Sequence, residues 1–213
     1  MDHYKAVFYL CFILVIIGMV GAWLQGSPWK ITRRVVNIYV QLFRNTPPLV
    51  QLYFFYFAVG ILIPRVENGW GGTSPLIDSF GWAVISLSFF AGAFNVEIFR
   101  SGIEAVPKST IEAAKALGFS RLQIYKDITL PLAIRVVIPS LNNNLVNLVK
   151  TTTLAYAIAV PELLYESNQI WSDNVNVTEM MLFLLFAYFI LVGILVWAMN
   201  SWDRSLKIPG FGQ

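Results

Sequence analysis

The most constraining feature of this sequence is its last long apolar run, EMMLFLLFAYFILVGILVWAMNSW, at residues 179–202. No charged residue lies between Glu179 and Asp203, and about 20 predominantly apolar residues suffice for a transmembrane helix. The chain of 213 residues is 57% hydrophobic and 13% charged, whereas a soluble domain carries about 25% charged residues. Lipid must therefore cover much of its surface, and the sequence predicts an integral membrane protein.

Four further apolar runs accompany this one and predict five transmembrane helices in all. The spans are expected at about 7–24, 40–63, 80–98, 131–154 and 179–202. A cleaved signal peptide is the alternative for the first run, but it lacks a basic start and an Ala-x-Ala-like exit. Pro47 and Pro48 should kink or break the second helix. The segment 154–163 is too short to span and is interpreted as interfacial or re-entrant. We expect one all-α transmembrane domain over residues 1–213.

The basic residues predict the orientation of these spans, because Lys and Arg concentrate in cytoplasmic loops. Twelve of the fifteen fall on one predicted side: Lys30, Arg33, Arg34, Arg44, Arg100, Lys108, Lys115, Arg121, Lys126, Arg135, Arg204 and Lys207. The other side holds Lys5 and Arg65, and its loop 161–179 is acidic with no basic residue. We therefore expect the N-terminus outside and the C-terminus in the cytoplasm, with residues 109–131 cytoplasmic between the third and fourth spans.

The segment 109–131 is polar and rich in helix signals. STIE at 109–112 and SRLQ at 120–123 both have the spacing of a capping box. Gly118 supplies a left-handed stop between them, and Leu130-Pro131 is expected to close the second helix. The sequence predicts a hairpin of two short helices. A DNA-binding helix-turn-helix and a merely solvated loop are the alternatives; mixed charge and confinement between two spans disfavour the first.

The same segment resembles the EAA loop of ABC importer permeases, and each defining position matches at its spacing. The matching residues are Glu112, Ala113, Ala114, Gly118, Ile128, Leu130 and Pro131. In that family the loop forms a coupling helix that docks into a groove on a cytoplasmic ATPase subunit. The resemblance implies a docking surface at the first four of these residues, with the last three framing the return to the membrane.

Longer segments, such as YVQLFRNTPPLVQL and LPLAIRVVIPSLNNNLVNLVKTTTLA, are similar to permeases for polar amino acids of the histidine and glutamine importer type. This resemblance implies a subunit of a bacterial inner membrane importer. Its expected partners are a second permease chain, identical or related, two ATPase subunits and a periplasmic or extracellular binding protein. Relatives often have an acidic residue after the lysine that corresponds to Lys150, whereas Thr151 follows here.

The chain contains no G-x-x-x-x-G-K-[ST] motif, so energy must come from a partner. We expect no enzyme activity and no cofactor in this chain, with ATP and Mg²⁺ on the partner ATPase. Cys11 and His3 are the only residues of their types, so neither a disulfide within the chain nor a metal site built on these types is expected.

Polar side chains inside apolar spans are costly and usually face protein or water. The candidates for the substrate pathway are Gln51, Asn95, Glu97, Asn143, Asn147, Lys150, Thr151 and Thr152. Glu97 could instead pair with Arg100, the asparagines could join helices, and Arg44 could reach the interface rather than the substrate. The sequence thus predicts an ATP-driven amino-acid permease. An ion-coupled secondary transporter and a non-transporting scaffold subunit remain the alternatives.

Overall fold

A computed structural model describes residues 16–27, 29–67 and 69–206, with side chains through Asp203. Its helices are α1 (described over Ile16–Gln25), α2 (Lys30–Asn45), α3 (Pro48–Tyr53), α4 (Ser79–Glu104), α5 (Lys108–Ala116), α6 (Arg121–Gln123), α7 (Leu130–Thr151), α8 (Leu163–Asn174) and α9 (Val177–Leu206). Wider π-helical turns follow α3 (Phe54–Val59) and α6 (Ile124–Thr129), and 3-10 turns lie at Gly60–Leu62 and Thr152–Ile158. His3, Cys11 and part of the span expected at 7–24 lie outside the described residues.

Among the described residues, three helical stretches are long and apolar enough to cross a membrane: Ser79–Glu104, Arg121–Ile158 and Val177–Asp203. Two shorter apolar helices, Ile16–Gln25 and Pro48–Leu62, accompany them. A small antiparallel hairpin, β1 (Arg65–Glu67) with β2 (Thr73–Pro75), pairs Arg65 opposite Pro75 and precedes α4. The prediction of a mostly helical membrane protein is confirmed.

Helix α4 is the centre of the fold and packs against α2, α3 and α7. Ala93, Val96 and Phe99 are at most 1% exposed. Helix α9 is the opposite case, since Phe189 is 77% and Trp197 71% exposed on its outer surface. Because such apolar rings are unfavourable in water, α9 presents its outer face to lipid.

Small residues let the helices approach α4 closely, as is usual between membrane helices. A Cβ atom added at Gly21 of α1 would overlap the side chain of Val96, and one added at Gly102 of α4 would overlap Val137 of α7. The contacts α1–α4 and α4–α7 therefore both depend on a glycine, which has no side chain to keep the helices apart.

The break predicted at the proline pair is confirmed. Helix α2 ends at Asn45, the backbone is extended at Thr46 and Pro47, and α3 begins at Pro48. The run expected at 40–63 is therefore two helices.

Two predictions about the hairpin at 109–131 were wrong. Helix α5 begins at Lys108 and has no side-chain cap, because Pro107 occupies the capping position and its carbonyl accepts from Thr110 N at 3.1 Å. Ser109 thus lies inside the first turn, and no capping box forms there. Leu130-Pro131 also does not close the second helix. Pro131 lies in the first turn of α7, after the π-helical turn, whose wider backbone accommodates a residue without an amide hydrogen.

The loop expected at 161–179 contains a helix. Thr152–Ile158 continues α7 as a 3-10 turn, Ala159 is left-handed with φ 57°, and α8 then begins at Leu163. Glu162 caps α8: its carboxylate accepts from Leu164 N at 3.0 Å and Tyr165 N at 2.8 Å. Glutamate is not among the preferred capping residues, which is why the sequence did not reveal this start.

Candidate functional site

The polar cluster of α7 is divided between two faces of the helix. Asn142 and Asn144 point inward and are at most 9% exposed. Asn143, Asn147 and Lys150 are exposed and follow one another at spacings of four and three residues, so they lie on one face. We call these three residues the α7 polar stripe.

The inward asparagines join helices. The Asn144 amide donates to Asn95 Oδ1 at 2.8 Å and to the carbonyl of Ala91 at 3.1 Å, both on α4. Asn142 donates to the carbonyl of Met199 on α9 at 3.4 Å. Asn95, a pathway candidate, is 6% exposed and belongs to this packing. These groups also border a cavity of about 180 Å³ lined mainly by apolar side chains, which does not suit a polar ligand.

The α7 polar stripe has a different environment. In the described part of the chain, its side chains make no hydrogen bond or ion pair with another residue. Thr151 donates its hydroxyl hydrogen to the carbonyl of Asn147 at 2.8 Å, and Thr152 donates to that of Val149 at 2.7 Å. Both hydroxyl hydrogens are therefore used within the helix. On the face of the stripe, the Lys150 ammonium is a donor only, whereas the amides of Asn143 and Asn147 both donate and accept. Together these groups can bind a ligand that carries both charges.

Glu97 is held by two arginines. Arg100 donates to it through Nε at 3.2 Å and through a second, shorter bond from Nη2. Arg44 Nη1 lies 3.9 Å from Glu97 Oε2, and its guanidinium lies 5.4 Å from the centre of the Phe94 ring. The expected Glu97–Arg100 pairing is confirmed. The ion pair between Arg44 and Glu97 was not predicted, because the two residues are distant in the chain.

Gln51 is buried at the break between α2 and α3. Its amide nitrogen donates to the carbonyl of Phe43 at 2.9 Å and to the carbonyl and hydroxyl oxygens of Thr46 at 3.0 and 2.7 Å. Carbonyls at a helix end lack partners within the helix. Gln51 satisfies them, so the structure places it as a cap of α2.

The hairpin of α5 and α6 is an ordered turn. Gly118 is left-handed with φ 84°, and Gly118 N donates to the carbonyl of Lys115 at 3.0 Å while Phe119 N donates to that of Ala114 at 3.1 Å. This pair of bonds is a Schellman motif. Ser120 and Gln123 then form the predicted capping box. The left-handed glycine and the second helix start are confirmed.

The surface of this hairpin includes most of the predicted coupling residues. Glu112, Ala113, Gly118 and Pro131 are exposed, and Ile128 and Leu130 are half-buried. Ala114 is only 3% exposed on a helix that packs against the π-helical turn, so little of its side chain is open to the docking expected of it.

The same hairpin carries an apolar patch that was not predicted from the sequence. Leu117, Phe119 and Leu122 are 77%, 40% and 72% exposed, and we call them the hairpin apolar patch. Three large apolar residues around a left-handed glycine in a polar stretch were the available signal.

Within the described ranges no group of three or more His, Cys, Asp or Glu residues could hold a metal ion.

Comparison with known proteins gives consistent matches over the whole fold. Residues 12–208 match the sequence model of a family described as binding-protein-dependent transport system inner membrane component. The glutamate/aspartate import permease protein GltJ of Escherichia coli K12 is 28% identical, over 95% of this chain and 87% of its own length. The putative glutamine transport system permease protein GlnP of Rickettsia typhi is 34% identical, over 84% of this chain and 77% of its own.

Two solved transporter structures resemble the fold of this chain. A structure described as an amino acid ABC transporter with histidines has a TM-score of 0.81 and 25% identity, over 94% of this chain and 89% of that one. An inward-facing structure of the MetNI methionine ABC transporter has a TM-score of 0.71 at 21% identity, over 96% of this chain and 92% of that one. The second likeness concerns the fold alone.

Proposed function

Because the chain belongs to the family of binding-protein-dependent transport system inner membrane components and is a permease subunit of an ABC importer, we propose that it carries a polar amino acid across a bacterial inner membrane. The names of its relatives, which refer to glutamate, aspartate and glutamine, support this substrate class. An ion-coupled secondary transporter would need an accessible carboxylate in the spans, and Glu97 is already engaged by Arg44 and Arg100.

In this proposal the chain crosses the membrane five times, with the N-terminus outside and the hairpin and C-terminus in the cytoplasm. The spans are the run at 7–24, the broken pair within 40–63, and helices α4, α7 and α9. The bias of basic residues toward the hairpin side supports this orientation.

The continuity of one helical unit carries the coupling proposal. Helix α6, the π-helical turn and α7 follow one another without a loop, and the 3-10 turn continues them to Ile158. The hairpin apolar patch lies at one end of this unit and the α7 polar stripe lies farther along it. About 26 residues separate Arg121 from Asn147, or roughly 39 Å at 1.5 Å per residue. A displacement of the hairpin by an ATPase subunit would move the stripe directly.

The exposure of the α7 polar stripe supports a second permease chain. Asparagine and lysine side chains are unfavourable against lipid, so the stripe needs a covering surface that keeps a polar pathway. A pair of identical or related chains would enclose that pathway and alternate its access. Two ATPase subunits would hold the ATP and Mg²⁺, and a binding protein would deliver the amino acid.

The proposal is tested in proteoliposomes that contain the permease, its ATPase and the binding protein. The variant Leu117→Ser with Leu122→Ser removes apolar contact area worth about 1.5 to 3 kcal/mol for each leucine buried at an interface. We expect loss of ATPase co-purification and of ATP-dependent uptake of L-glutamine and L-glutamate. Leu76→Ser is the matched control, since this leucine is 59% exposed near the β-hairpin. Retained coupling in the double variant would refute the docking role, and absence of uptake of any amino acid by the wild type would refute the transport function.

A further inference from the structure

We propose that Lys150 binds the carboxylate of the transported amino acid and that the pathway therefore accepts acidic and neutral amino acids and rejects basic ones. This inference rests on the proposed function, since it assigns a substrate contact and a charge preference within that function.

Lys150 is the charged member of the α7 polar stripe. It is exposed near the end of an apolar helix, and its ammonium group forms no ion pair within residues 16–27, 29–67 and 69–203. A cation in a membrane span costs about 2.5 to 3.5 kcal/mol unless it faces water or protein. Two exposed asparagines, Asn143 and Asn147, share its face of α7. The ammonium group is thus available to a ligand.

Of the acidic groups on the elements that pack against α7 and its 3-10 turn, Glu97 and Glu162 are already engaged, whereas Glu166 on α8 is exposed. Glu97 binds Arg44 and Arg100. Glu162 caps α8 with both carboxylate oxygens and also accepts from the Tyr188 hydroxyl at 3.1 Å. Residues 130–158 contain no Asp or Glu. The charged residues of this stretch are Arg135 and Lys150, and both are positive.

The remaining polar atoms around Lys150 complement an α-amino acid. The ammonium of Lys150 can donate to a carboxylate, and a charge-assisted bond of this kind is roughly twice as strong as a neutral one. The side-chain amide oxygens of Asn143 and Asn147, which are exposed on the same face of α7, can accept from the α-ammonium group. A basic side chain would meet Lys150 without a compensating carboxylate, so like-charge repulsion would disfavour it.

The test measures equilibrium binding of radiolabelled L-glutamine, L-glutamate and L-arginine to the permease–ATPase complex in nanodiscs, without the binding protein. Omitting that protein isolates the selectivity of the permease. We expect L-glutamine and L-glutamate to bind at least about tenfold more tightly than L-arginine. Lys150→Met should weaken L-glutamine binding roughly 10- to 100-fold, the worth of a hydrogen bond to a charged group. Lys150→Arg should retain most of the affinity because it retains the charge.

Lys30→Met is the matched control, because Lys30 is an exposed lysine at the start of α2 and should bind like the wild type. Equal binding of L-arginine, unchanged binding in Lys150→Met, or no binding to the wild type at millimolar concentration would each overturn the inference. One further result would overturn the inference: Lys150→Met assembles poorly with its partner subunits, Lys150→Arg assembles normally, and the Lys150→Met complex that does assemble binds the amino acids as the wild type does. That result would indicate that Lys150 pairs with a residue of another subunit. ATP-driven uptake by the wild-type complex, measured in proteoliposomes with the binding protein, separates the two hypotheses: uptake with a failed binding test rejects only the role of Lys150.

Discussion

A side chain at Gly118 should weaken coupling without any steric clash. Gly118 has φ 84°, and an added Cβ would meet no atom within 4 Å. An L-residue in this left-handed conformation costs about 1 to 2 kcal/mol, and nothing nearby can offset that cost. The Schellman bonds of the turn contribute about 0.5 to 1.5 kcal/mol each. The strain from one substitution is thus comparable with the energy that holds the turn.

We expect Gly118→Val to weaken association with the ATPase about five- to thirtyfold, the factor that corresponds to 1 to 2 kcal/mol. Gly118→Ala should show a smaller loss, because it lacks β-branching. Gly118→Asn should stay close to the wild type, since asparagine tolerates the left-handed region. Association is measured by titrating the ATPase subunit onto permease in nanodiscs, and substrate-stimulated ATP hydrolysis is measured in parallel.

Gly193→Val is the control for the added side chain, because Gly193 lies in α9, faces open space and is not left-handed. It should leave ATPase association unchanged. The backbone argument fails if Gly118→Asn is as defective as Gly118→Val, because the defect would then follow side-chain size at the interface and not φ. It also fails if all three Gly118 variants associate normally.

Four further substitutions test the packing and the helix ends. Gly102→Val should overlap Val137 and destabilise the α4–α7 contact by about 1 to 3 kcal/mol, seen as a lower melting temperature in detergent. Asn144→Ala removes two buried hydrogen bonds toward α4 and should cost about 1 to 2 kcal/mol in the same assay; an unchanged melting temperature would contradict this packing role. Ser120→Ala removes the capping box and about 1 kcal/mol, which should appear as faster amide hydrogen exchange at 120–123. Ala159→Gly relieves a left-handed alanine and should raise the free energy of unfolding by about 1 kcal/mol, seen as a higher melting temperature, whereas a lower one would show that the strain is absent.

Local chemistry explains which features of the hairpin could be predicted. Gly118 and the Ser120–Gln123 box depend on neighbours within five residues, and both were predicted correctly. The S-x-x-E spacing predicts that α5 starts at Ser109, but Pro107 takes the capping position and the helix starts at Lys108. The spacing alone does not reveal which of these residues caps the helix. The second helix was expected to end at Pro131. A π-helical turn lets it continue, and neither capping spacings nor apolar periodicity reveal such a turn.

Contacts between distant residues explain what could not be predicted. The asparagines of 142–147 look alike in sequence, yet Asn144 is bonded to Asn95 on α4 whereas Asn143 and Asn147 are exposed. Arg44 and Glu97 are 53 positions apart and meet only because α2 packs on α4. The direction of each side chain depends on the packing angle of its helix, which hydrophobic periodicity alone does not specify.

The sequence by itself determined that the chain is a mostly helical membrane protein, where its apolar runs lie and where the hairpin turns, because these follow from composition and from interactions within a few residues. Only the tertiary structure decided which polar groups are used up in packing and which remain for a ligand. Burial of Asn144 and exposure of Lys150 are set by how α7 is rotated against α4. That rotation is a balance of contacts over the whole helix, in which Gly102 and Val137 matter as much as the polar residues themselves.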